Sequence, residues 1–271
     1  MSPSPDIFSA LVATLGQAED SSPVKDLLSL LKIGSPPERK AYSDVTYLTF
    51  RSVGLSLQLE PAASSSVHGP SSLIVAALDI YNHEASSLDE DPHKATRARR
   101  EAAYGPFPYF PIKLSDFKTT APSPNATLQD AAPKGNIDSA PTSPGFLSLT
   151  PTTSGADWVR ALGEPTRKGG GEGPAGRGPA AWLEWTGRLK VDCDDKANKR
   201  SLNVASDGTE QAPSMSARES VAVQIMVELA GPGARGPRRW EADSAGASLW
   251  KVLTLSAASP HLSSQSNARG K

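Results

Sequence analysis

Residues 24–40 read VKDLLSLLKIGSPPERK, residues 45–50 VTYLTF and residues 54–60 GLSLQLE. The order is an apolar helix, a G-x-P turn, an aromatic strand, a glycine and an alternating strand. The same order returns in residues 157–193 as DWVRALGEPTRKGGG, then AAWLEW, then GRLKVDC. A unit stated twice predicts an α+β fold of two related modules, each with one or two helices packed on an antiparallel sheet.

Working outward from the first copy, Val24, Leu27, Leu28 and Leu31 form a helical stripe, opened by Ser22-Pro23 and closed by Gly34. An earlier helix carries Ile7, Phe8, Leu11, Val12 and Leu15 and stops at Gly16. Leu55, Leu57 and Leu59 alternate with Ser56 and Gln58, as expected of a strand with one buried and one wet face. Residues 72–82 are apolar on both faces and predict a central strand, and residues 109–114 a further short one.

In the second half, Ser154 stands three residues before Asp157, a capping-box arrangement that opens a helix with Trp158, Val159 and Leu162. Leu183 and Trp185 share one strand face. Residues 221–229 alternate most cleanly of all, with Val221, Val223, Ile225, Val227 and Leu229 on one side. A last strand spans 249–255.

The expected organisation is a first module at 1–114, a flexible Ser/Thr/Pro-rich linker at 115–153, a second module at 154–256 with a polar insertion at 196–219, and a disordered tail at 257–271. Residues 93–104 suit a basic helix. The 271 residues include 24 prolines and 22 glycines, above average usage but short of the roughly 25–30% that marks wholesale disorder. The linker is too poor in large apolar residues to offset the entropy of ordering it.

A net charge of −1 gives no global field toward nucleic acid or anionic membrane. The single cysteine, Cys193, excludes an internal disulfide and a cysteine-based zinc site. The N-terminal residues lack a secretion signal and no stretch is long and apolar enough to span a bilayer, so cytosol or nucleus is expected.

The helix ending in LLxLLxxGxP and leading to an aromatic strand resembles the module of the SmpA/OmlA outer-membrane assembly lipoproteins, duplicated in the β-lactamase inhibitor proteins. The residues that carry it are 27–36 with 45–50, and 158–165 with 182–185. The resemblance implies this fold and a tendency toward protein binding. No lipobox cysteine accompanies it, which speaks against an envelope role. The overall texture also looks like that of fungal proteins without an assigned function.

Catalytic chemistry finds little purchase. The glycine run 169–178 has Gly171 and Gly176 at P-loop spacing, but Arg177-Gly178 stands where Lys-Ser/Thr is needed and the flanking elements are reversed. Asp192, Asp194 and Asp195 lack the oxygen ligand and glycine that a calcium loop requires at its next positions. His68, His83, His93 and His261 show no zinc spacing. Cys193 falls on an apolar strand face, where cysteine acts as a small hydrophobe. Asp79 sits within an apolar strand, where it reads as a perturbed buried acid or, more plainly, as a strand-edge residue with a hydrogen-bond partner. Two basic clusters, Lys94 to Arg100 and Arg235 to Arg239, lack the interleaved aromatics of a nucleic-acid surface.

All five tryptophans, Trp158, Trp182, Trp185, Trp240 and Trp250, lie in the second half. The expectation is therefore a non-enzymatic protein-interaction module with no catalytic residue, metal or cofactor. Trp182, Trp185, Arg167 and Lys168 are its candidate binding surface. The alternative is an enzyme or a binder of a small phosphate-containing ligand, with a pocket between the modules near the glycine run. No nucleic-acid partner and no membrane span are expected; the partner would be another protein.

Overall fold

The computed structural model describes residues 6–62, 72–86, 104–114, 117–119, 146–170, 180–191, 219–236, 239–240 and 244–258. The polar insertion around 196–218, the basic helix at 93–103, most of the glycine run and the tail beyond 258 lie outside the described residues. So do Cys193, Asp192, Asp194, Asp195, His68, His93 and His261.

Period-two leucines build the sheet. Leu55, Leu57 and Leu59 are fully buried, as are Val223, Ile225, Val227 and Leu229. Each run puts every second side chain against the helices. The strands are β1 (Glu38–Ala41), β2 (Thr46–Phe50), β3 (Leu55–Pro61), β4 (Leu73–Tyr81), β5 (Ile112–Leu114), β6 (Phe117–Thr119), β7 (Leu147–Leu149), β8 (Arg167–Gly169), β9 (Trp182–Val191), β10 (Glu219–Leu229) and β11 (Trp250–Ala257). Among them run α1 (Ile7–Ala13), α2 (Ser22–Leu30), a one-turn α3 (His83–Ser86) and α4 (Gly155–Leu162). The fold is α+β.

Nine strands form one antiparallel sheet in the order β1-β2-β3-β4-β11-β10-β9-β6, with β8 beside β6 on the far edge of β9. Two meanders thus meet where β4 pairs β11, and strands from both halves of the chain share one sheet. Their buried residues form one apolar cluster that takes in α1, α2 and α4. A small second sheet, β5 with β7, contacts α1 through β5 and α4 through β7.

Local chemistry sets the helix ends. Asp6 caps α1 by accepting from the Phe8 N–H at 3.2 Å. The capping box of α4 forms as its spacing predicts: the Asp157 N–H donates to Ser154 Oγ at 3.3 Å, and the Ser154 N–H to Asp157 Oδ2 at 2.9 Å. Helix α2 closes differently from the expectation. Its left-handed residue is Lys32, at φ 52°, rather than Gly34. The Ile33 N–H donates to Leu28 O and the Lys32 N–H to Ser29 O, a Schellman closure.

Two other expectations are corrected. Residues 180–193 were expected to hold two strands divided by a glycine, but Trp182–Val191 is one continuous strand. A Cβ on Gly187 would lie 2.5 Å from both Lys118 O and Phe117 Cζ, so this glycine admits β6 at close range and makes no turn. The expected linker at 115–153 also contributes structure at both ends. Phe117, Leu147 and Leu149 are buried, in three-residue strands too short to show a period. Residues 120–145 between them lie outside the described residues.

Candidate functional site

The helices cover one face of the large sheet. The other carries the alternate side chains, and the register aligns them in rows. The longest reads Glu38, Thr49, Ser56, Asp79, Thr254, Met226, Glu184 and Arg167, one residue from each of eight strands. Beside it run Lys40, Tyr47, Gln58, Ala77, Ser256, Gln224 and Thr186. A shorter row holds Tyr81, Val252, Glu228, Trp182 and Gly169. None of these residues belongs to the apolar core cluster.

Aromatic groups stand toward the sides of this face. Tyr81 stacks on Tyr104 with ring centroids 3.6 Å apart, and the Arg51 guanidinium lies 5.5 Å from the Tyr104 ring. Arg51 in turn donates through Nε to Glu38 Oε2 at 2.8 Å. On the opposite side, Arg167 lies 5.8 Å from the Trp182 ring and 3.5 Å from Glu184 Oε1. Small residues fill the middle: Ser56, Ala77, Thr254 and Ser256.

Asp79 occupies the centre. Its Oδ1 accepts from Thr254 Oγ1 at 2.7 Å. Burial pushes its carboxyl above the usual aspartate range, the Thr254 hydroxyl opposes that shift, and the nearby Glu228 charge adds to it. Burial also pushes the Tyr81 phenol up, aided by Tyr104.

The four residues singled out from sequence separate along the period of the strand. Arg167 and Trp182 stand together on the face away from the described helices. Lys168, adjacent in β8 and opposite Leu183, points to the helix side, with Nζ 3.3 Å from Glu164 Oε1 and 5.7 Å from the Trp240 ring. Trp185 is fully buried and stacks on Trp158 at 6.0 Å. Its Nε1 donates to Gly163 O at 3.0 Å, tying the end of α4 to the sheet. Trp185 is thus a core residue and offers no surface, because its odd spacing from Trp182 places it on the other face. Gly169 and Gly170, which open the glycine run, serve close packing. A Cβ on Gly169 would lie 2.6 Å from the Trp182 ring, and one on Gly170 2.1 Å from Ala180 O.

A cavity of about 420 Å³ opens on the helix side, bounded by Gly155, Ala156, Val159, Arg160, Glu164, Pro165, Lys168, Leu183, Leu229, Trp240, Ala245 and Gly246. All of these lie in the second half of the chain, not between the halves, and Arg167 and Trp182 are not among them. Sequence reasoning missed Tyr81 and Tyr104, named Trp240 only among the tryptophans, and gave Asp79 a hydrogen-bond partner without identifying it as Thr254. The even spacing of Asp79 and Tyr81 within β4 was the signal for their shared face. Among the described residues no three His, Cys, Asp or Glu side chains converge as a metal site. No described helix is long and apolar enough to cross a membrane.

No protein-family model matches the chain, and no curated protein or solved structure does either.

Proposed function

We propose that the protein acts by binding another protein on the face of its large sheet away from the described helices. The observation that supports this is the set of rows on the face away from the described helices, outside the apolar core, with Tyr47, Tyr81, Tyr104 and Trp182 spread around small central residues. Eight strands about 4.8 Å apart span roughly 35 Å. That width suits the ~800 Å² a stable interface takes from each partner, and a small molecule would leave most of it bare. Tyrosine, tryptophan and arginine are the side chains that anchor such interfaces. A photo-crosslinking residue at Gln224 on this face, compared with one at exposed Lys25 on α2, tests the reading. One partner cross-linked at Gln224 and lost on Trp182→Ala supports it, while equal labelling from both positions opposes it.

The same reading takes the two halves as related modules. Each has a helix, a G-x-P turn and a basic edge strand (ERKA in β1, RKG in β8), followed by three longer strands. This order is what the SmpA/OmlA resemblance would require of a duplicated module.

A second reading, favoured by the 420 Å³ cavity, is a small-ligand site in the second half. Cavities of this size commonly hold small molecules.

A further inference from the structure

Resting on that second reading, we propose that the cavity bounded by α4, Trp240, Ala245 and Gly246 takes a flat, largely apolar molecule bearing one carboxylate. Its walls are Ala156 and Val159 of α4, Leu183 of β9 and Leu229 of β10, with Trp240 also lining it. Trp240 is 38% exposed, an unusual position for a tryptophan in this chain, where Trp158, Trp185 and Trp250 are all fully buried. A partly exposed indole lining an apolar cavity presents a flat surface on which a ring can stack.

The charge of the lining favours an anion. Lining side chains supply two cations, Lys168 and Arg160, against one carboxylate, Glu164. The first N–H groups of α4 are already engaged, that of Gly155 donating to Ser248 O and that of Ala156 to Gly246 O, each at 2.9 Å. Arg160 is committed to Asp157 at 2.6 Å. Lys168 is the adaptable group: its 3.3 Å pair with Glu164 joins side chains 52% and 61% exposed. Such a pair contributes little and yields readily to a carboxylate held in place by apolar contact. The Lys168 Nζ also lies 5.7 Å from the Trp240 ring, so a ligand stacked on that indole places its carboxylate within reach.

Titrating the full chain with 2-naphthoate and with neutral 2-naphthamide tests this, read by methyl shifts of Val159 and Leu183 and by Trp240 fluorescence. Both compounds should perturb the cavity, with naphthoate binding roughly tenfold tighter. Lys168→Gln should erase that difference while leaving naphthamide binding unchanged. Equal affinities in the native chain would overturn the carboxylate assignment and leave the cavity standing. Binding of neither compound, or shifts away from Val159 and Leu183, would overturn both.

Discussion

Asp79 and Thr254 face each other across the one seam where the two halves of the sheet meet, Oδ1 to Oγ1 at 2.7 Å. With Asp79 protonation favoured by burial, the folded state holds its proton to a higher pH than the unfolded chain does. Stability from this group is therefore full below the ordinary aspartate pKa and falls as pH rises through the elevated folded value. Asp79→Asn keeps an acceptor for Thr254 without the charge. We expect the variant to melt higher than the native chain at neutral pH, with the gap closing on acidification, in a thermal melt series across that range.

Asn82, fully buried just past the end of β4, ties three segments. Its Nδ2 donates to Pro151 O at 2.7 Å and to Trp250 O at 2.8 Å, and its Oδ1 accepts from the Glu84 N–H at 3.2 Å. Asn82→Ala takes the amide from the buried Trp250 carbonyl and the part-buried Pro151 carbonyl and opens a small void. A loss of about 2–3 kcal/mol is expected in urea unfolding. An unchanged midpoint would show that solvent replaces the amide.

Ser154→Ala removes half of the capping box on α4 and should cost about 1 kcal/mol near neutral pH. Burial alone would raise Asp157, but the Ser154 N–H and hydroxyl and the Arg160 guanidinium outweigh it and hold the carboxyl below its usual range. A depressed carboxyl stabilises the fold above its unfolded pKa, and that contribution is lost as pH falls through the folded one. The deficit of Ser154→Ala should accordingly shrink in strong acid, as circular dichroism melts would record.

Lys32 carries the left-handed residue of the α2 closure, where a side chain is strained and glycine is not. Lys32→Gly should stabilise by up to about 1 kcal/mol, measured as a rise in melting temperature. The same change at Gly34 has no counterpart, because Gly34 is not in the left-handed region.

Reading the strands from sequence succeeded wherever one face is buried and the other wet, as in β3 and β10. It failed at β1, whose four residues are all exposed, and at β6, β7 and β8, whose three residues cannot show a period. Glycine misled in one place for a physical reason. Gly54 follows an aromatic strand and turns the chain at φ 57°, whereas Gly187 follows another and stays inside β9 to admit Phe117. Both look alike in one dimension. Of the candidate site, Arg167 and Trp182 were legible as neighbours. Parity along a strand was enough to separate Lys168 and Trp185 from them. Trp240's place in the cavity wall was not legible, since the cavity depends on the packing of residues 244–248 against α4.

The β4–β11 seam has a consequence for synthesis. As the chain leaves the ribosome, β1 to β4 can pair with one another at once, but the far edge of β4 finds its partner only when residues 250–257 have emerged. Leu73–Tyr81 is an apolar strand, and until then it offers an open row of N–H and C=O groups to any other strand. Translation that stalls before residue 250 leaves the first half with this sticky edge, so faithful folding depends on the last strand arriving promptly.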